Sequence, residues 1–351
     1  MQVGRSVIRT GLEALYFSGA HHVLRPWCGG VGVILTLHHV RPARTEAFQP
    51  SRALEVTPGF LEAALLTLRR MDLETISLDE MHARLTGGAS CRRFVCITFD
   101  DGYRDNLEWA YPILKRRRIP FAIYVTSEVP DRRGCLWWRT IEQAVAARRE
   151  IELEICGEKR RFACRTTAEK HTAVAALHRL FRALPHDSQL RAAVADLAVR
   201  AGIDECAATA ALGLSWADLR ELASDPLVTI GAHTVSHPIL CKTDADVARR
   251  EMTEGAKRIN DMLGRRPTHF SYPHGDPGAA GPREFALARE AGFRTAVTTR
   301  PGVLFAEHRE HLWALPRISL NGEMQRLRYL QVLASGTGTA LFNRFRRVNV
   351  A

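Results

Sequence analysis

Several things are missing from this sequence, and each absence removes a class of protein. Its eight cysteines (Cys28, Cys91, Cys96, Cys135, Cys156, Cys164, Cys206 and Cys241) include no CxxC pair, which argues against a zinc ribbon or a thioredoxin-type motif and leaves reduced thiols as the simple reading. No uninterrupted apolar run approaches the ~18–20 residues of a membrane-spanning helix. There is no GxGxxG, no repeat of about 20–50 residues and no helix-turn-helix, zinc-finger or RNA-binding aromatic motif. A dinucleotide-binding sheet, a solenoid or propeller and a nucleic-acid module are therefore not expected. Lysine is nearly missing too: of 49 basic residues, 44 are Arg and 5 are Lys.

What is present is a globular composition. Hydrophobic residues make up 46% of the 351 positions and charged residues 25%, enough for a real core without disulfide or metal staples. The formal charge of +11 is compatible with nucleic acid, an anionic membrane or an acidic glycan, although an arginine-rich coding bias with the charge spread over the surface explains it best. Near the N-terminus, Gly11–Ala20 is short, is interrupted by Glu13 and makes a poor secretory signal. It reads better as an amphipathic helix resting on the core or on a membrane. The location expected from this is cytoplasmic, or peripheral to the inner membrane.

Strand-like and helix-like segments alternate. Val31–Leu37, Phe94–Phe99, Phe121–Val125, Val228–Ile230, Phe270–Tyr272, Thr295–Thr298 and Leu315–Ile318 read as strands. Thr57-Pro58 opens one helix, Ser77 to Glu80 caps another as a capping box, and a long helix runs from about Asp244 to Leu263. The alternation predicts an α/β fold with parallel strands, and a (β/α) barrel fits it best. The middle breaks the pattern. Glu150–Cys164 alternates like a β-hairpin turning at Gly157, and residues 166–212 are alanine-rich and helical. The organisation read from this is an N-terminal helical segment (1–30), a barrel (31–320) with an insertion at about 130–212, and a C-terminal helix with a basic tail (321–351).

Three short segments at strand ends carry the chemistry. They are Thr98-Phe99-Asp100-Asp101-Gly102-Tyr103, then Gly231-Ala-His233-Thr-Val-Ser-His237-Pro238, and Phe270-Ser271-Tyr272-Pro273-His274-Gly275. Each alone reads equally as a turn or as core-satisfied histidines. Together they supply one carboxylate and two imidazoles, a ligand set with open positions that suits catalytic zinc or an oxygenase iron. The adjacent second carboxylate is spare. Hydrolysis needs such a base beside a metal-activated water, whereas an oxygenase does not, so hydrolysis is favoured.

The first two segments resemble the Thr-Phe-Asp-Asp-Gly and His-Ser/Thr-x-x-His-Pro motifs of the polysaccharide deacetylases, the NodB-homology family or carbohydrate esterase family 4. The resemblance covers roughly residues 31–125 and 213–320, and it includes Trp216–Leu222 and Phe270–Gly275. It implies a distorted (β/α) barrel and metal-dependent N-deacetylation of an acetylated amino sugar in a bacterial polysaccharide, chitooligosaccharide or lipid-linked glycan. By motif position it implies Asp100 as catalytic base and Asp101, His233 and His237 as ligands of Zn²⁺, with Co²⁺ or Ni²⁺ also tolerated. It further implies an oxyanion held by the metal plus a backbone N–H near Tyr272 to His274, with Tyr272, Pro273 and His274 as substrate contacts.

Two departures from the family pattern matter. Many relatives orient the base with an Arg two residues before the third-motif proline, where this sequence has Ser271. Arg317 is the candidate replacement, the alternative being a surface Arg at a strand end. The late Leu-x-His that supplies the acid in many relatives is not found near Leu315. Leu35–Val40 instead resembles an N-terminal Tyr-His segment of poly-N-acetylglucosamine deacetylases, making His38 the first candidate for general acid and His274 the second. Trp137 and Trp138 either line a sugar groove or simply pack. Rival functions are hydrolysis of another amide or ester at the same site, such as a cyclic imide or acetylxylan, and non-catalytic binding of glycan or membrane. The expected partner is an N-acetylated glycan, with contact to a membrane or a lipid-linked sugar; no nucleic acid and no particular oligomeric state are expected.

Overall fold

Seven parallel strands close on themselves because the first of them pairs on both sides. In the computed structural model, which describes residues 2–87, 92–155 and 157–350, the chain forms β1 (Gly32–Leu37), β2 (His39–Val40), β3 (Glu55–Val56), β4 (Glu74–Thr75), β5 (Phe94–Phe99), β6 (Phe121–Val125), β7 (Glu150–Ile155), β8 (Glu158–Ala163), β9 (Val228–Ala232), β10 (His269–Ser271), β11 (Thr295–Pro301) and β12 (Leu315–Ser319). The barrel order is β1-β12-β11-β10-β9-β6-β5, and β5 returns to β1 with Gly32 opposite Phe94 through Leu37 opposite Phe99. β4 adds to the start of β5. The closure needs a glycine at position 32, since a Cβ there would lie 2.3 Å from the Phe94 ring.

Strands β1, β5 and β6 are buried along their whole length, as expected when one face meets the barrel interior and the other a helix layer. Val33, Leu35, Val95 and Ile97 pack outward on Leu61, Leu65 and Leu68 of the helix Pro58–Arg70 and on Leu114. Thr57 caps that helix by accepting from the Phe60 N–H. Ile34, Cys96 and Tyr124 point the other way and pack with Leu78, Met81 and Leu85 of the helix Leu78–Gly87. Of its expected capping box, the Ser77 hydroxyl accepts from the Glu80 N–H at 3.1 Å.

The helix that follows β5 begins with a wider π-turn at Asn106–Ala110 and becomes α-helical only over Tyr111–Arg116. Pro112, which has no N–H, sits at the junction, and such wide turns recur at functional sites. Between β6 and β9 the chain leaves the barrel to form the helix Trp137–Ala147, the antiparallel β7–β8 hairpin and the helices Thr167–Ala183, Asp187–Ala201 and Glu205–Ala210. This excursion has a core of its own, in which Ile141, Leu153, Leu177, Phe181, Leu190 and Leu197 are buried. Helices Gln2–Phe17, Leu327–Ala334 and Thr337–Phe342 pack together on the outside. No described helix is long and apolar enough to cross a membrane. The six described cysteines are free, and Cys91 and Cys156 lie outside the described residues.

Candidate metal centre and catalytic cavity

The three motif segments emerge at the same end of the barrel, where strands β5, β9 and β10 finish. This is the end at which (β/α) barrels place their chemistry. Asp101, His233 and His237 each offer one donor atom, and all three lie within 4.8 Å of one another. Nε2 of each histidine is 3.4 Å from Oδ1 of Asp101. The second ring nitrogen of His233 bonds the Ser271 carbonyl at 2.6 Å, which fixes the ring and frees Nε2 for a ligand.

The backbone here is strained. Asp101, Thr234, His237 and His274 all have positive φ (71°, 67°, 62° and 61°), unusual for residues with a Cβ. The turn 233–237 is nevertheless held from several sides. The His237 N–H bonds the Thr234 hydroxyl at 3.0 Å. Glu251, on the helix Ala245–Leu263, accepts from the Val235 and Ser236 N–H groups, each at 2.9 Å, and from the Ser236 hydroxyl at 2.8 Å. Gly255, one turn further along, lies so close that a Cβ would be 2.8 Å from the Thr234 carbonyl carbon. From the excursion, Arg191 donates to the Ser236 carbonyl at 2.7 Å, and Asp187 accepts from the Ile239 N–H at 2.9 Å.

Asp100 and Arg317 form a bidentate pair with N–O distances of 2.8 and 2.6 Å, both side chains almost wholly buried. The Arg317 guanidinium also donates to the Thr298 carbonyl, the Thr98 hydroxyl and the Ser271 hydroxyl, and stacks 5.9 Å over Tyr124. Arg317 is thus an interior residue facing Asp100, not a surface one, and Ser271 contacts that same guanidinium.

Burial by itself raises the Asp100 pKa, but the Arg317 charge and hydrogen bonds outweigh it and hold the carboxyl below its ordinary value. At Asp101, burial is likewise outweighed by hydrogen bonds from His233 and His237, leaving it well below the usual carboxylate range. Burial lowers the pKa of His237 despite the neighbouring carboxylate, so the ring is neutral at pH 7. A buried carboxylate facing a neutral imidazole within reach of a third donor is a set that fits a cation. The buried His237 Nδ1 and His274 Nε2 make no hydrogen bond among the described residues, as expected of a site built to receive something.

These groups open on a cavity of about 440 Å³ lined by His38, Asp100, Asp101, His233, His237 and His274, with Trp137, Trp138, Glu142 and His178 from the excursion as its far wall. The Trp138 ring lies 4.8 Å from His237 and the Trp137 ring 5.8 Å from His274. The Trp137 indole N–H is buried with no hydrogen-bond partner among the described residues. His38 is partly exposed on the cavity, its carbonyl held by the Asn106 amide at 2.7 Å. His39 points away, bonding Asp105 at 2.7 Å and stacking on Tyr103.

The third segment needs correction. Tyr272 does not face substrate: its ring runs into the core, its hydroxyl donates to the Trp313 carbonyl at 2.8 Å, and its N–H bonds Val297. Pro273 has no N–H and is absent from the cavity lining. Of the three residues only His274 reaches the cavity. The physical reason is that the β10–β11 ladder continues through the Tyr272 N–H, leaving the residue's large ring on the helix side with Phe285. Sequence reasoning also missed Glu251, Arg191, Asp187 and Asp105, which act through tertiary contacts and carry no motif.

A closed (β/α) barrel with paired aspartates and two histidines at its C-terminal rim defines the class: a barrel hydrolase with a candidate metal centre. More specifically, the chain belongs to the polysaccharide deacetylase family, which it matches over residues 87–154 and 187–296, and is a hydrolase of carbon–nitrogen bonds other than peptide bonds. The family acts on N-acetylated glycans and is generally metal-dependent. Among solved structures the chain is similar to the Streptococcus pyogenes deacetylase PplD in complex with acetate, at 18% identity and TM-score 0.57, covering 86% of this chain and 97% of that one. It is also similar to IcaB from Ammonifex degensii, at 17% identity and TM-score 0.53, covering 88% and 98%. A de-N-acetylase from Aggregatibacter actinomycetemcomitans gives 14% identity and TM-score 0.52 over 84% and 96%. At these identities the likeness is one of fold. No curated protein matches the sequence.

Proposed function

We propose that this protein removes the N-acetyl group from an acetylated amino sugar of a glycan, with a divalent metal, zinc or alternatively cobalt or nickel, held by Asp101, His233 and His237. The observation that carries this reading is the Asp100–Arg317 pair lying beside that ligand set, at the floor of a cavity with an aromatic wall. A metal bound there supplies Lewis-acid polarisation of the acetyl oxygen and lowers the pKa of a water. Asp100 takes the proton of the attacking water, and Arg317 keeps its carboxylate ionised and fixed in orientation. His38 hands a proton to the departing amine. His274 is less suited to that step, because burial pushes its imidazole well below the ordinary range and leaves it without a proton to spare. Trp137 and Trp138 present apolar and N–H surface to a pyranose ring. The acetate held by the Streptococcus pyogenes protein is the product this reading expects.

The test is acetate release across a panel of N-acetylated glycans, with and without chelator. Release that stops on chelation and returns with added zinc is expected. Release from acetylxylan or a cyclic imide, with none from any N-acetylated glycan, would replace this reading with the rival hydrolase.

A further inference from the structure

A second groove of about 850 Å³ continues from the catalytic cavity and shares Pro50, Ala53, Val174 and His178 with it. Its own lining is basic: Arg9, Arg52, Arg326 and His171, with Glu323 the one acidic residue. The Arg52 guanidinium is exposed and makes no ion pair among the described residues. Arg9 donates to a neutral backbone carbonyl, that of Glu323, at 2.9 Å. Arg326 reaches Glu13 only at 3.4 Å, and Glu13 is already engaged by Arg328 and the Tyr329 hydroxyl, each at 2.6 Å. The three arginines thus come from three distant parts of the chain and, with Arg326 paired to Glu13 and Glu323 the one acid in the lining, leave the groove with an excess of positive groups.

The groove is a built feature. The Gly322 N–H bonds the Ala53 carbonyl at 3.0 Å, and any Cβ at Gly322 would lie 2.0 Å from the Arg52 carbonyl oxygen. The Gln325 side chain accepts from the Thr57 N–H at 2.9 Å. These ties hold the 321–326 segment against the Pro50–Leu54 turn and thereby hold Arg52 near Arg326.

We propose that this groove is a subsite for a phosphate-type anion covalently joined to the sugar that is deacetylated. The inference rests on the function proposed above for the neighbouring cavity. Guanidinium groups suit phosphate oxygens, which accept forked hydrogen bonds. Phosphate is favoured over a sugar carboxylate by what lies next to the groove. Arg9 belongs to the helix Gln2–Phe17, which exposes Val7, Ile8 and Phe17, and the helices after it expose Val23 and Trp27. Basic groups near exposed apolar side chains match a phosphate at the head of a lipid chain. A soluble sugar phosphate offers the same chemistry without the lipid.

The full chain is titrated calorimetrically with N-acetylglucosamine, N-acetylglucosamine 1-phosphate and a disaccharide of glucuronate and N-acetylglucosamine, and with the sugar phosphate on a polyprenyl chain in neutral vesicles. The phosphorylated sugar is expected to bind about tenfold more tightly than the neutral one, a preference that shrinks in high salt. It should be lost in Arg52→Gln/Arg326→Gln and reversed in Arg52→Glu, with unchanged melting temperatures. A further gain on the polyprenyl arm assigns the phosphate to a lipid carrier, and equal binding assigns it to a soluble sugar phosphate; both support the subsite. Equal affinity for neutral and phosphorylated sugar, a stronger preference for the uronate, or a phosphate preference that survives in the double variant would overturn it. Because binding is read directly, a phosphate preference without acetate release would sink the deacetylase reading and leave the subsite standing.

Discussion

Asp100 and Arg317 are the residues on which the proposed chemistry turns, and they are coupled. Replacing Asp100 by Asn removes the base but keeps shape, so turnover should fall by about 10²–10⁴-fold while metal is still bound at Asp101, His233 and His237. Arg317→Met is expected to be worse for folding. It strands the Asp100 carboxylate in a buried site, which typically costs about 3–5 kcal/mol. Asp100→Asn combined with Arg317→Met should therefore recover much of the stability lost in Arg317→Met, but no activity. Chemical denaturation of the four proteins measures this, and additive losses would show that the two side chains are not energetically paired. Asp100, Asp101, His233 and His237 were legible in the sequence because they sit in contiguous motifs. Arg317 was legible only as a candidate, since nothing in Leu315-Pro316-Arg317-Ile318 says which face of the strand points inward. Tyr272 was misread because its position in a motif does not reveal that its N–H belongs to a strand ladder.

At the scale of elements, the helix Ala245–Leu263 is more than a cover for the barrel. Its extent was plain from sequence, with Asp244 at the N-cap. The grip of Glu251 on the Val235–Ser236 turn was not, because a glutamate at a helix surface position looks like any solvated one until the turn is seen against it. Glu251→Gln should retain the fold and weaken metal affinity about 10–100-fold, as loss of groups that orient ligands commonly does. Gly255→Ala sharpens the point. Alanine favours helix by about 1 kcal/mol over glycine, yet here its methyl would press on Thr234, so metal affinity should drop whatever happens to the helix. Competition titration against a chromophoric chelator checks both variants. Wild-type affinity in both would mean that the turn holds itself.

The molecule as a whole buries many imidazoles. Burial lowers His21, His39 and His82, and takes His178 and His308 down to about 4 from an ordinary 6.5. Rings whose folded pKa is depressed stay neutral while the unfolded chain takes up protons. The stability they contribute is complete above about pH 6.5 and is lost as pH falls toward 4, by up to about 1.4 kcal/mol per pH unit for each fully shifted ring. Melting temperatures of metal-free protein should accordingly decline from about pH 6.5 downward, before the carboxylates begin to titrate near pH 4. His308→Asn, whose amide can still accept from the Phe305 N–H, should flatten the decline. A melting curve unchanged down to about pH 4.5 would contradict this. At this scale the sequence was most readable: the alternation of strands and helices predicted the barrel, and the break in it marked the excursion. The closure of β1 on both β12 and β5 was not readable, because pairing partners are set by packing rather than by any local pattern.

The excursion between β6 and β9 divides labour within the cavity. The reacting groups stand on barrel strand ends, whereas the wall with Trp137, Trp138, Glu142 and His178 belongs to a segment whose core is mostly its own. Selectivity can therefore drift, or be engineered, by exchanging that segment while the reaction centre is inherited intact. The contacts that tie the segment to the barrel would have to travel with the graft, among them Arg191 and Asp187 on the Ser236–Ile239 stretch, Arg182 on Asp276, Glu142 on Ser51 and Trp138 on His237.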